Sequence, residues 1–379
     1  MDYSSESAEN TTIQSHGTEA DRDDDQMILE VIPVITSALD GGWLGQIGTT
    51  LILLFGTFGN VMTVIILRRL RSGWSAMNVY LTALALSDTA MLYCVALPMW
   101  SRKVLDYDIY ASHVVVCKLG IWMMVTTATL SAWLLVALTA QRAASVVWPH
   151  RVNVMCTRHK SVVVIVVITA VCSLHNSHAL HGFKIMKLYN GTTERCTFGS
   201  MAYQDFWVSV WVRVNMFVYS VIPSAGLIVS NAVLGWKLTV SVKEAREKFA
   251  AGNVNQKDNR QKKASSVTVT IIIVSVAFVL ITVPLTMYNT FFFGYASRNI
   301  DYFLYDFFFV FGLFNFAWNF YLYCLTGSKF RREFIKIAFG CCMPLSSTVR
   351  SAYTTEGSQV SSAGTAGQQR HAIDVNDDF

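Results

Sequence analysis

Charge is what this sequence has least of. Only 15% of its 379 residues are Asp, Glu, Lys or Arg, against about 25% in a soluble domain, and that deficit excludes an ordinary water-soluble fold. Segments of regularly alternating hydrophobicity about ten residues long, the mark of a membrane β-barrel, are absent. So are the internal repeats, matched broken helices and polar midplane sites of a secondary transporter. No nucleophile, paired carboxylates or metal cluster comes together as an enzyme would require, so neither catalysis nor a cofactor is expected. The nearest approach to a metal cluster is His175, His178 and His181, whose three-residue spacing predicts one helix face. The N-terminus lacks the basic stretch, apolar core and cleavage site of a signal peptide, and the first apolar run is expected to act as the signal.

What the sequence does have is seven long apolar runs. They cover Gly41 to Leu67, Gly73 to Ser101 with Asp88 inside, Leu119 to Gln141, Ser161 to Phe183, Phe206 to Trp236 with Arg213 near its start, Ala264 to Ser297, and Phe307 to Ser328. Each meets the roughly 20 residues needed to cross the hydrocarbon core. Lipid offers no partner to backbone N–H and C=O groups, so such runs must be α-helices. The expected fold class is therefore an all-α membrane protein, a seven-transmembrane helix bundle.

Lys and Arg set the orientation, because cytoplasmic segments are enriched in them. One side collects nineteen, from Arg68 to Lys336, and the other eight, from Arg22 to Arg298. The N-terminus is accordingly expected outside and the C-terminus inside, at the plasma membrane. Residues 1–40 hold ten acidic residues and the single Arg22 and read as a disordered extracellular segment. The helix bundle occupies 41–328, a short amphipathic surface helix and Cys pair 329–342, and a disordered cytoplasmic tail 343–379. Asn10 and Asn190 match the glycosylation sequon, and both fall on the outer side.

Several marks at matching depths resemble the rhodopsin-like (class A) G-protein-coupled receptors over roughly residues 40–342. Gly59-Asn60-Val61 matches the first-span element of that family and Leu84-Ala85-Leu86-Ser87-Asp88 the second. Cys117 and Arg142 bracket the third span 25 residues apart, about 37 Å of helix at 1.5 Å per residue. Pro149, Pro223, Phe278, Pro284, Asn319 and Tyr323 follow in order, and Phe330 opens the amphipathic helix that ends at Cys341 and Cys342.

The resemblance implies roles. Asp88 would join Asn60, Ser131, Asn315 and Asn319 in a polar network that holds a sodium ion; structural hydrogen bonds or water are the alternative for a lone intramembrane carboxylate. Cys117 and Cys196, both expected outside, would form a disulfide. Cys341 and Cys342 at the inner face are palmitoylation candidates or an unmodified thiol pair. Arg142 and Tyr323 would act in coupling to a heterotrimeric G protein, and the Ser- and Thr-rich stretch Ser346 to Thr365 suggests receptor kinase and arrestin. The basic third inner loop, Lys237 to Lys263, reads as attraction to anionic membrane lipid and as a transducer surface.

Departures matter equally. Gln141 precedes Arg142 where the family has Asp or Glu, so Arg142 lacks its neighbouring carboxylate and raised signalling without agonist is expected. Thr282 stands at the usual Trp, Phe320 at the usual Pro, Asn231 at a usual Tyr, and the fourth span has no Trp. These put the familiar kink geometry in doubt. The FxxxTxP form and the run Asn319 through Arg331 resemble invertebrate neuropeptide (FMRFamide-like) receptors. The third span has no acidic residue for an amine ligand and the seventh no Lys for retinal. An extracellular peptide, probed by a second outer loop forming a hairpin lid, is the expected ligand, and no nucleic-acid partner is expected. Pocket candidates are Trp100, Met124, Arg213, Asn215, Tyr288, Asn289, Tyr305 and Phe309; Arg213 would either pair a ligand group or snorkel to the headgroups.

Overall fold

The computed structural model describes residues 43–70, 75–187, 194–250, 257–292 and 298–339. Asn10, Asn190, Cys341, Cys342, the acidic first forty residues and the tail lie outside these, as does the side chain of Tyr305. Helices α1 (Trp43–Arg69), α2 (Ala76–Leu105), α3 (Val114–Val147) and α4 (Arg158–His175) come first. The hairpin strands β1 (Phe183–Lys187) and β2 (Glu194–Phe198) follow. Then come α5, running from Met201–Phe206 into Ile222–Ala250, α6 (Lys257–Met287), α7 in two halves, Arg298–Ala317 and Asn319–Thr326, and α8 (Ser328–Phe339). Among the described residues six helices are long and apolar enough to cross a membrane, and the two halves of α7, bent by 53°, make a seventh span.

Helix starts are capped as the local sequence dictates. Ser75, Thr157 and Ser200 each accept a backbone N–H of the first turn, of Asn78, Lys160 and Tyr203 respectively. The fourth helix ends sooner than its apolar run. Asn176 donates its side-chain amide to the Cys172 carbonyl at 2.8 Å, and the chain turns there, re-enters a single helical turn at Ala179–Gly182 and becomes β1 at Phe183. The three histidines therefore do not share a helix face. His175 closes α4, His178 sits in the turn and His181 is exposed, and no group of three metal-ligating residues exists among the described residues.

The fifth and sixth helices are not regular. Two π-helical turns, Trp207–Trp211 and Met216–Val221, interrupt α5, and a third, Tyr288–Phe292, ends α6. In α5 the cause is legible. Ile222 N–H reaches back five residues to Phe217, and in that register the Val218 carbonyl would need the N–H of the next residue, Pro223, which has none. The indole of Trp133 on α3 donates to Val218 instead, at 3.0 Å.

α7 breaks without a proline. Asn60 on α1 donates its side-chain amide to the Phe316 carbonyl at 3.0 Å, and Asn319 donates to the Asn315 carbonyl at 3.4 Å. Those two carbonyls are the ones that the N–H groups of Phe320 and Asn319 would occupy in a continuous helix. Two asparagine amides thus do what proline does in other sequences: they end one helix and let another begin. Phe320, 2% exposed, then sits between α1 and α8, with Phe58, Phe330 and Phe334 ring centroids 5.2–5.9 Å away.

Candidate functional site

Three polar or cross-linked regions lie along the bundle axis. The first is at the end carrying the hairpin. β1 and β2 pair antiparallel, Ile185 opposite Cys196, and Cys196 is bonded to Cys117 at the start of α3 with Cα atoms 5.6 Å apart. Phe183, Ala179 and Cys117 are buried together, with Trp122, Phe198, Tyr203 and Trp207 packed on them. The hairpin is thus fixed to α3 covalently and to α5 by aromatic contact. His178 Nδ1 bonds the Tyr203 hydroxyl at 2.8 Å, and its ring meets that of Trp211 at 4.2 Å. His175 and His178 thus belong to an aromatic wall with Tyr203, Trp207 and Trp211, and the sequence signal for it is the spacing of those three aromatics along α5.

Beneath the hairpin the pocket candidates divide. The Val212–Asn215 turn of α5 packs on the π-helical end of α6, and Asn215 and Asn289, one on each, both have a buried Oδ1 without a partner. Tyr288 is buried against Phe308 on α7 at 5.2 Å. Met124 and Phe309 pack on the core cluster of Ile52, Leu92 and Leu313, and Trp100 is half-buried near the end of α2. Arg213 is exposed, and its guanidinium turns back to the Ser209 carbonyl one turn earlier. That is the arrangement of a cation satisfied on its own helix rather than one aimed at an interior ligand.

The second region is centred on Asp88, which is 1% exposed. Asn319 donates to Oδ2 at 2.8 Å, while Oδ1 is buried with no partner. Ser131 donates to Ser87 at 2.9 Å and Ser87 to the Thr127 carbonyl at 3.1 Å, so the serine of the expected network is engaged beside the carboxylate. The space beside the carboxylate, lined by Asn60, Thr63, Leu81, Ala85, Asn319 and Tyr323, is nowhere wide enough for a water molecule. An orphaned buried carboxylate oxygen is a donor that a small cation suits. Asp88 Oδ1 is the atom that would hold sodium, and the ion would supply the missing counter-charge.

The third region is the opposite end of α3. Arg142 is half-buried and reaches Met77 Sδ, and its Nε has no partner. Gln141 Oε1 beside it is also buried and unpartnered. Among the described residues no carboxylate lies within ion-pair distance of Arg142. Tyr323 is buried against Phe330 of α8, 5.6 Å between rings.

Seven spans, a hairpin pinned to the third and a lone buried carboxylate in the second define a class, the seven-helix membrane receptors. Residues 59–323 match the family described as 7 transmembrane receptor (rhodopsin family), and the chain belongs to that family. It is a rhodopsin-like receptor, a multi-pass membrane protein and not an enzyme. Among curated proteins it is similar to the growth hormone secretagogue receptor type 1 of Sus scrofa, 26% identical over 289 residues covering 74% of each chain. The Rattus norvegicus receptor of that name is 26% identical over 263 residues, 67% of each chain. The Homo sapiens one is 27% identical over 203 residues, 52% of this chain and 54% of that one.

Proposed function

We propose that this receptor carries the signal of an extracellular peptide, a short amidated neuropeptide, to a heterotrimeric G protein. The N-terminus and the hairpin face outward, and Arg142, Tyr323 and α8 face the cytoplasm at the plasma membrane, as the Lys and Arg distribution requires. The observation that carries the reading is the pair Asn215 and Asn289. Their orphan carbonyl oxygens, on touching turns of α5 and α6, are acceptors for the N–H groups of a peptide backbone or its terminal amide. The relatives, by name receptors for growth hormone secretagogues, support a receptor for a chemical messenger. The FxxxTxP form and the Asn319-to-Arg331 run support the neuropeptide class.

In the same reading Asn10 and Asn190 are glycosylated, Cys341 and Cys342 are palmitoylated, and Asp88 with Asn60, Ser131, Asn315 and Asn319 holds sodium in the resting bundle. Receptor kinase and arrestin act on the tail. Ligand binding shifts the population between two arrangements of the bundle by its differential affinity for them. The test is a library of amidated neuropeptides, amines and lipids applied to cells expressing the receptor with a promiscuous G protein and a calcium reporter. A saturable response to one peptide series, absent in Arg142→Ala at equal surface level, is the expected result. A response to an amine or lipid alone, or silence with the receptor at the surface, overturns the peptide reading.

Two outcomes follow from the geometry. Asn215→Ala and Asn289→Ala should each lower peptide potency about two- to tenfold, the range for one neutral hydrogen bond, while Arg213→Ala should change it less than twofold; dose–response curves at matched expression check both. Gln141→Glu supplies Arg142 with the carboxylate it lacks. A charge-assisted bond contributes about 1.5–3 kcal/mol, so basal second-messenger output should fall roughly ten- to a hundredfold. Output of the unsubstituted receptor equal to empty vector, unchanged by Gln141→Glu, would show that Arg142 is not what sets resting activity.

A further inference from the structure

Among the described residues, three hydroxyl–hydroxyl contacts join α6 to its neighbours. Ser275 Oγ lies 3.2 Å from Thr139 Oγ1 on α3, both residues fully buried. Thr326 on α7 donates to Thr270 at 2.6 Å, and Thr286 donates to Ser220 on α5 at 2.9 Å. The first two fall in the half of α6 nearer Arg142, and Thr139 precedes Arg142 by less than one turn.

We infer that Thr139–Ser275 and Thr270–Thr326 are a pair of neutral latches that hold α6 closed against α3 and α7, in place of an ion pair, and set how often the receptor opens without ligand. The inference rests on the reading of the chain as a G-protein-activating receptor. Its physical basis is that these hydroxyls, each with one proton to donate, have a second acceptor on their own helix that competes with the contact. Thr139 also reaches the Leu135 carbonyl at 2.7 Å, Ser275 that of Ile271 at 2.8 Å, and Thr326 that of Leu322 at 2.5 Å.

When α6 moves away, each of these hydroxyls falls back on its own helix, so opening strands no buried donor. Breaking a buried ion pair, by contrast, leaves an uncompensated charge. A latch of this kind is weak, reversible and insensitive to ionic strength. With Arg142 lacking a carboxylate partner among the described residues, these contacts add a directional hold on α6 to the apolar packing of Ile271, Val274 and Phe278.

The experiment uses the full-length receptor, purified in lipid nanodiscs, with two readouts: nucleotide exchange on added heterotrimeric G protein without ligand, and deuterium exchange of α6 backbone amides over residues 268–275. Ser275→Ala and the double variant Thr270→Val with Thr326→Val should each raise both rates by up to about threefold, less than the two- to tenfold of one full hydrogen bond, because in the open bundle the hydroxyl regains a carbonyl of its own helix. Ser275→Thr keeps the hydroxyl and should match the parent. Thr286→Ala, which deletes the contact at the other end of α6, controls for general loosening. Unchanged amide exchange in both latch variants overturns the inference, as does an equal rise in Thr286→Ala. Faster amide exchange with no nucleotide exchange by any form, parent included, upholds the latches as contacts that close α6 and refutes the coupling on which the basal rate depends.

Discussion

A Cys196→Ser receptor is expected to lose 5–15 °C of thermal stability, about 2–4 kcal/mol at 2–4 °C per kcal/mol for a domain of this size, and most of its surface expression. The Cys117–Cys196 bond closes a separation of 79 residues, for which loop entropy alone gives about 4.5 kcal/mol. Helices already held in a bilayer restrict the open chain, so the realised effect lies below that figure. What the bond holds is specific. Without it the hairpin keeps the Gly199 N–H to Gly182 carbonyl bond at 2.7 Å and the packing of Phe183 and Phe198 on Tyr203 and Trp207, but loses its attachment to α3. Thermal unfolding of purified protein and antibody counts at intact cells measure the two effects. Cys117→Ser should match Cys196→Ser, and the double variant should be no worse than either, because all three remove one bond. Additive losses would show that each cysteine matters separately and that the bond does not.

That bond was legible early, because two cysteines on the outer side of a membrane protein have few other fates. The seven spans were legible for a similar reason: a charge-free run of more than twenty residues has one stable solution in lipid. Other features were not, and the reasons are physical. The end of α4 at His175 falls well inside a charge-free run, with no Pro or Gly before Gly182 to mark it, and Asn176 closes it with both its backbone N–H and its side-chain amide on the Cys172 carbonyl. The bend in α7 carries no proline. Its cause lies in Asn60, 256 residues from the carbonyl it takes, and no local pattern contains that information. The hydroxyl contacts of α6 were silent because Ser and Thr inside a span usually bond their own i−4 carbonyl, as these do too, and only the fold shows which also meet a partner. Arg213 drew attention as a rare charge in a span, and the structure satisfies it on Ser209. Asn215 and Asn289 looked ordinary, yet they are the candidates whose acceptors have no partner.

Gly59→Val should cost about 2–4 kcal/mol and blunt signalling, and it tests whether the close approach of α1 is what breaks α7. A Cβ at Gly59 would lie 2.9 Å from Phe320 Cβ and 3.4 Å from the Ala317 carbonyl; at Gly56, one turn earlier, it would lie 2.5 Å from Leu92. The helices therefore meet where side chains are absent, and that proximity brings the Asn60 amide onto the Phe316 carbonyl. Valine adds two methyl groups beyond the Cβ. Phe320 cannot retreat, because Phe330 and Phe334 of α8 back it, so α1 must move. Overpacking of this kind costs about 1–3 kcal/mol, and losing the Asn60 bond adds about 1 kcal/mol. Gly59→Ala, whose single Cβ needs a shift of a few tenths of an ångström, should lie between. Gly235→Ala is the control, since nothing lies within 4 Å of its added Cβ, and it should be neutral or slightly stabilising. Asn60→Ala removes the amide without moving α1. If Gly59→Val lowers the unfolding temperature while Asn60→Ala leaves both stability and signalling intact, the bend is held by Phe320 and α8, and the asparagine is incidental. If Asn60→Ala reproduces the signalling loss with a smaller loss of stability, the side-chain amide maintains the break that proline maintains elsewhere in the family.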